Sequence, residues 1–286
     1  VIDLHTHSTA SDGTDSPAEL VALACSIGLQ ALALTDHDTL LGWAEAAPLA
    51  AERGLELLCG LELSTRMTSE PRPENRSVHI LGYFFAPPAP EFAVWLETLK
   101  EKRRARNRAM AERLTALGMP VSVEEVEKVG KNVTGRPHFA LILRQKGLVS
   151  CMEEAFQRYL GERGTAYIER EDPEPEEGIR RITEAGGIAS LAHPFRLNQR
   201  DAVHEEAIIA RFADAGLGAI EVWHSDHDES CRSRYTHLSR KYNLATSGGS
   251  DYHGDHKPDI LLGRGRRPGQ RIPFSALESL RRRAGH

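Results

Sequence analysis

The chain has 286 residues, with 36 Lys and Arg against 41 Asp and Glu. That length suits one large α/β barrel or a barrel with an insertion, and the mildly acidic balance excludes indiscriminate binding to nucleic acid or membrane through a global positive field, so phosphate recognition must be local. The four cysteines, Cys25, Cys59, Cys151 and Cys231, are scattered without a Cys-x-x-Cys pair, and no basic-then-apolar leader or apolar run of about 18 residues is present, so a cytoplasmic protein with reduced thiols and no membrane span is expected.

Val1-Ile2-Asp3-Leu4-His5-Thr6-His7 reads as a buried strand, and alternation along it turns His5 and His7 to one side. Two imidazoles on a strand tip suit a divalent metal, although His-x-His alone is a weak signal. A polar loop with Asp12-Gly13 follows. Ser16-Pro17-Ala18-Glu19 then predicts a helix start, with Ser16 as cap, Pro17 at the first position, Glu19 completing a capping box and Gly28 as the stop. Residues 29–34 predict a second strand ending at Thr35-Asp36-His37-Asp38. A helix over 40–53, closed by Gly54, leads to an apolar run over 55–59 and then to Gly60-Leu61-Glu62. Residues 78–85 predict another strand with His79 inside it, where a histidine taken alone is more often a satisfied core residue.

Pro87-Pro88-Ala89-Pro90 breaks the alternation, and residues 91–164 carry only helical patterns, as an inserted subdomain would. Its basic run over 100–108 reads as a solvated helix face balanced by Glu97, Glu101 and Glu112, with contact to a polyanionic substrate as the rival reading. Thr134-Gly135-Arg136-Pro137-His138 predicts a helix start, where a phosphate site and a purely structural cap are both open. Asn132-Val133-Thr134 has the form of a glycosylation sequon, with no secretory route expected. Alternation resumes with a helix over 175–185, a strand over 188–192 ending in His193-Pro194, a helix over 201–215, and a strand over 218–222 followed by Trp223-His224-Ser225. A helix over 229–242 and a short strand over 244–247 precede Gly248-Gly249-Ser250-Asp251-Tyr252-His253, and a last helix near 275–283 reads as packing.

The strand-end residues are His5, His7, Asp12, Asp36, His37, Glu62, His193, Glu221, Asp251 and His253, with His79 slightly apart. In a barrel of parallel strands such ends share one rim, where active sites are built. About nine nitrogen and oxygen donors without sulfur exceed what one ion takes, so a polynuclear hydrolase is expected, and Mn²⁺, Zn²⁺ and Fe²⁺ all suit the shell.

The set His5-x-His7 with Asp12, Thr35-Asp36-His37-Asp38, Gly60-x-Glu62, His79, Ala192-His193-Pro194 and Gly249-Ser250-Asp251-x-His253 resembles the four-motif signature of the PHP (polymerase and histidinol phosphatase) family. The resemblance implies an α/β fold, a distorted (β/α)7 barrel of amidohydrolase-like form. Its two parts would be residues 1–90 and 166–286, with a helical insertion over 91–165 covering the active site. It implies up to three metals, manganese first among them: one held by His5, His7, Glu62 and Asp251, one by Glu62, His79 and His193, one by Asp12, His37 and His253. Asp36 and Glu221 match no ligand position and are expected to orient imidazoles. The insertion is similar to that of small bacterial PHP phosphoesterases acting on nucleotides, in particular the 3′,5′-nucleoside bisphosphate phosphatases, whose relatives include exoribonucleases on short 5′-phosphorylated RNA. That implies a grip by Arg136 and His138 on the phosphate that is not cleaved, with Arg196 as a second cation there.

A phosphate monoester dianion repels hydroxide, so charge must be neutralised and the pKa of water brought toward ~7, which metals do. The expected reaction converts a 3′,5′-nucleoside bisphosphate, such as 3′,5′-adenosine bisphosphate, to AMP and phosphate through a hydroxide bridging metals that include the one on Asp251. His224, or a metal-held water, would protonate the leaving oxygen. The alternative is a 5′-to-3′ exoribonuclease on short RNA. A degenerate binding module is a third class, which the complete donor set argues against. Neither a membrane nor an obligate protein partner is expected.

Overall fold

In a computed structural model the described residues are 1–68, 77–130, 133–197, 201–266 and 271–285, so Asn132 of the sequon lies outside them. The chain divides into two compact units, Val1–Val94 with Asp172–His286, and Trp95–Glu171. The sequence reading set its divisions at 90/91 and 165/166. The structure differs at the first because one helix, α3 (Pro90–Ala116), runs through it, and at the second because residues just past 171 attach to the first unit, where the Arg66 N–H donates to the Pro173 carbonyl at 2.9 Å.

The first unit is an α/β barrel. Among the described residues one seven-stranded sheet runs in sequence order through β1 (Ile2–Thr6), β2 (Ala31–Leu34), β3 (Glu56–Arg66), β4 (Ser77–Phe84), β5 (Ile188–Leu191), β6 (Ala219–His224) and β7 (Ala245–Gly249). It nearly closes where the Asp251 N–H donates to the His5 carbonyl and the His7 N–H to the Tyr252 carbonyl, both at 2.9 Å.

The barrel is mixed, which corrects the expectation of parallel strands: β4 is antiparallel to both β3 and β5. Only residues 67–76 join β3 to β4, fewer than the dozen or so that a parallel crossover needs. The start of β4 therefore meets the rim where the other strands end. His79 occupies that start, paired with Ser64. Glu62 is likewise relocated, because β3 continues past the predicted 55–59 run. Pairing of β2 with β3 ends at Leu34↔Cys59, and a single bridge then joins His37 to Glu62.

Two bulges aim the rim. Register slips between Asp3 and Thr6 on β1 and between Glu221 and Trp223 on β6; a bulge of this kind re-aims neighbouring side chains. On β1 it lets Leu4 join the apolar cluster inside the barrel while the next residue, His5, faces Glu62 and Glu221. Gly249 is needed beside this strand, since a Cβ there would lie 2.2 Å from the His5 Cβ.

Outside β2, α1 (Pro17–Ser26) and α2 (Leu41–Glu52) bury Leu20, Val21, Ala24, Ala46 and Ala50 against Leu32 and Leu34. The Ser16–Glu19 capping box is formed as predicted. Helices α7 (Pro175–Glu184), α8 (Ala202–Asp214) and α9 (Glu229–Lys241) follow the second unit, and α10 (Phe274–Ala284) packs on β7, β1 and β5. Its Ala276, Leu277 and Leu280 meet Ile2, Leu4, Ala31, Leu58, Leu81 and Tyr83 in one buried cluster.

Within the second unit α4 (Val123–Gly130), α5 (Arg136–Gln145) and the short α6 (Met152–Ala155) follow α3. This unit has its own core of Met110, Leu114, Val126, Phe139, Leu143 and Leu160. Among the described residues no helix is long and apolar enough to cross a membrane, and all four cysteines are free.

Candidate metal centre

Glu62 is the hub of the barrel rim. It is 1% exposed and surrounded by five imidazoles. Its Oε2 faces His5 Nε2 at 3.2 Å, His7 Nε2 at 3.0 Å and His37 Nδ1 at 3.5 Å. Its Oε1 faces His79 Nδ1 and His193 Nε2, each at 2.7 Å. One carboxylate thus presents its two oxygens to two separate groups of nitrogens.

Two further carboxylates complete the ring. Asp251 Oδ1 lies 3.5 Å from His7 Nε2, 3.7 Å from His5 Nε2 and 3.4 Å from His253 Nδ1. Asp12 stands 3.4 Å from His253 Nε2, 3.5 Å from His7 Nδ1 and 3.7 Å from His37 Nε2. Donor atoms mutually within 4.8 Å form the groups His5–His7–Glu62–Asp251, His7–Asp12–His37–His253, His37–Glu62–His79 and His5–Glu221–His224. All nine residues named from the sequence as metal donors lie in this cluster: His5, His7, His37 and Glu62 each stand in two of the groups, and His193, in none of them, meets Glu62 at 2.7 Å.

These atoms fit a cation better than they fit each other. His5 Nε2, His7 Nε2 and His37 Nδ1 are buried and make no hydrogen bond among the described residues, despite the nearby carboxylates. A buried polar atom left this way is costly, and a divalent ion is the partner that imidazole lone pairs and carboxylate oxygens can share.

The electrostatics agree. Burial opposes charge on Glu62 and Asp251, yet His37, His79 and His5 around the first, and His224 and His7 beside the second, hold both well below the usual carboxylate range. Burial likewise opposes a proton on His7, but Asp251, Glu62 and Asp12 raise it to about 9. For His37 and His193 burial prevails, lowering them to about 4 and about 3. The carboxylates stay ionised while some imidazoles hold protons that a metal would displace.

Supporting residues orient the donors. Glu221 Oε1 sits 2.9 Å from His5 Nδ1 and its Oε2 accepts the His193 N–H at 2.6 Å. Asp36, expected to orient an imidazole, instead accepts from the Ser8 N–H and hydroxyl at 2.7 and 2.8 Å and from the Ser11 hydroxyl at 2.6 Å. It holds the loop leading to Asp12, and Gly42 makes room for it, since a Cβ there would lie 2.0 Å from Asp36 Oδ2. His193 and Asp251 adopt φ of +27° and +59°, a region that non-glycine residues seldom occupy and that clusters at functional sites.

His224 Nδ1 accepts the Asp226 N–H at 3.1 Å. In the neutral ring the proton therefore sits on Nε2, which lies 3.5 Å from Asp251 Oδ2. That same Oδ2 receives two cations, Arg196 Nη2 and Lys257 Nζ, each at 2.8 Å, and Arg196 also reaches Asp226 at 3.0 Å. Arg196 thus sits against the donor cluster, engaged with carboxylates. Sequence reasoning missed Lys257 and Asp226. No spacing marks them, and the available hint for Lys257 was its place just past the His253-Gly254 turn.

Arg136 and His138 belong to the second unit and are engaged there. Arg136 donates to the Leu160 carbonyl at 3.3 Å and lies over the Phe156 and Tyr167 rings at 6.0 and 5.6 Å. His138 Nδ1 accepts the Gly135 N–H at 3.2 Å. Both side chains thus have partners within the second unit. In the basic run Arg104 pairs with Glu127 at 2.8 Å and Lys100 with Glu97 at 3.5 Å, as a solvated helix face does.

Comparison with known proteins adds four findings. The PHP domain family matches residues 3–120. A 5′-3′ exoribonuclease of Haemophilus influenzae is 36% identical over 251 residues, 88% of this chain and 89% of that protein. A 3′,5′-nucleoside bisphosphate phosphatase of Chromobacterium violaceum is 34% identical over 254 residues, 88% and 87% of the two chains. Among solved structures, a metal-dependent phosphoesterase from Bifidobacterium adolescentis superposes with a TM-score of 0.76 at 31% identity, covering 99% of this chain and 96% of that one.

Proposed function

The chain belongs to the PHP domain family and is a phosphoesterase, and from that premise we propose that it removes the 3′-phosphate of a 3′,5′-nucleoside bisphosphate, with a mononucleotide such as AMP as product. The observation that carries this reading is Glu62, whose two oxygens each face a separate set of imidazoles. His5, His7, Glu62 and Asp251 would hold one divalent metal, Glu62, His79 and His193 a second, and Asp12, His37 and His253 a third, with manganese the first choice. Bound there, such metals supply positive charge for the phosphoryl oxygens and a nucleophilic water near neutral pH.

The chain's own residues do the rest. Glu221 holds His5 in one orientation through Nδ1. His224, as its imidazolium with Asp226 Oδ2 3.8 Å from Nδ1, donates its Nε2 proton to the leaving ribose oxygen and becomes the neutral ring. Arg136 and His138 are assigned to the phosphate that stays. A second reading, 5′-to-3′ hydrolysis of short RNA, is supported by the Haemophilus relative. The two readings share their chemistry and their leaving 3′-oxygen, and differ in whether the phosphorus attacked is a terminal monoester or a diester carrying the rest of the RNA.

Kinetics of the Mn²⁺-loaded protein on 3′,5′-adenosine bisphosphate, a 5′-phosphorylated RNA trimer and 5′-AMP separate them. The bisphosphate is expected to have the highest kcat/KM, with 5′-AMP as product. Degradation of the trimer to mononucleotides with a higher kcat/KM replaces this reading with the exonuclease. Equal rates on 5′-AMP and the bisphosphate remove the assignment of Arg136 and His138.

A further inference from the structure

One oxygen of Asp251 is used twice over. While Oδ1 faces the imidazole cluster, Oδ2 takes charge-assisted hydrogen bonds from both Arg196 and Lys257 at 2.8 Å. The Asp251 side chain is 3% exposed, whereas those of Lys257 and Arg196 are 31% and 37% exposed. A buried carboxylate is thus capped by two cations that each also reach solvent. Arg196 also donates to Asp226 at 3.0 Å, which Arg266 approaches at 3.5 Å, so a second carboxylate is at hand for it.

Lys257 is delivered by a pinned turn. The 3₁₀ segment Gly254–His256 lies between it and His253. The Asp255 N–H donates to Thr14 Oγ1 at 2.9 Å, and His256 Nδ1 donates to the Asp12 carbonyl at 2.8 Å. The turn therefore ties the Asp12 loop to the Asp251 side chain. Within it the long lysine stem leaves the ammonium free to move over several ångströms.

We propose that Lys257 and Arg196 are exchangeable counterions of Asp251: they neutralise it when divalent cations are lacking, and turn their charge to the oxygens of a phosphate dianion when those cations are bound. The inference rests on the metal-dependent phosphoesterase reading above. A divalent charge at Oδ1 repels cations held at Oδ2 of the same carboxylate, and a net positive rim with two solvent-reaching donors suits a phosphate dianion. Lys257 is then a competitor of the metal and a partner of the anion. A plain strut for Asp251 would help both.

The opposite signs make the test. Wild type, Lys257→Met and Lys257→Arg are compared by Mn²⁺ titration of the chelator-treated protein and by binding of inorganic phosphate to the Mn²⁺-loaded protein. Lys257→Met is expected to bind Mn²⁺ about threefold to tenfold more tightly, and phosphate about tenfold more weakly. Lys257→Arg, which keeps the charge, should restore phosphate binding. Weaker binding of both ligands by Lys257→Met makes the lysine a strut and overturns the proposal, as does no change in either. Inorganic phosphate makes the outcome independent of which nucleotide is hydrolysed. Wild type that binds no Mn²⁺ would instead overturn the metal reading, and this inference with it.

Discussion

Along β1 the barrel changes character within one residue. Leu4 packs with Leu58, Leu81, Tyr83 and the Leu277 and Leu280 side chains of α10 in a wholly apolar cluster, whereas His5 meets Glu62 and Glu221. The same division recurs on β3 between Leu58 and Glu62 and on β4 between Leu81 and His79. Both ends are buried, but they are buried for different reasons. The apolar end gains about 25 cal/mol for each Å² taken from water and is complete as it stands. The polar end buries ionised carboxylates and imidazole nitrogens without hydrogen bonds, an arrangement that cations would stabilise. One end holds the fold so that the other can hold a site.

Substitutions at the two ends should therefore fail differently. The largest effect is expected from Glu62→Gln, which removes the charge shared by five imidazoles: metal content and turnover should fall together, turnover by ~10³-fold or more. Metal analysis beside steady-state kinetics checks this, and retained metal with a full rate would erase the contrast. His224→Asn should keep metal but slow kcat by roughly 10²- to 10⁴-fold, and an unchanged rate takes the proton donor's role away from His224. At the other end Leu277→Ala should cost about 2–5 kcal/mol in denaturant unfolding, with metal stoichiometry in the folded protein unchanged. Loss of metal at equal folding would mean that the ends are not separable.

His227 sharpens the comparison from a third direction, because it is a buried imidazole whose Nδ1–H goes to the Val222 carbonyl. Burial first, then the neighbouring His224, lower it from 6.5 to about 4. Between those values the unfolded chain binds more protons than the folded one, so this contribution is whole above pH ~6.5 and is lost as pH falls toward ~4. It amounts to up to about 3 kcal/mol. Unfolding curves of the metal-free protein from pH 4 to 7, compared with His227→Phe, should show a shallower slope in the variant. Equal slopes would assign the pH dependence to the carboxylate-linked imidazoles instead.

Much of this was legible in advance. Apolar runs ended by His, Asp or Glu marked the strands and their functional ends, and Ser16-Pro17-Ala18-Glu19 marked a helix start that the structure reproduces. His79 was ambiguous because its meaning depends on strand direction. Asp36 was misread because its partners, Ser8 and Ser11, are 28 and 25 residues away in sequence. Lys257 was invisible because a lysine on a surface turn has the same local signature whether it meets water or a buried carboxylate.

What the amino-acid sequence determined by itself is the alternation of elements, the insertion after β4 and the inventory of donors, because periodicity and capping report burial and backbone satisfaction within a few residues. What only the tertiary structure decided is the reversal of β4, the two bulges that aim His5 and the residues beside Glu221, the sharing of Glu62 by two sets of imidazoles, and the cation pair on Asp251. Those depend on which strands pair and on which distant charges meet, and closure of the barrel brings such partners together across more than two hundred residues, as it does His5 and Glu221, 216 apart.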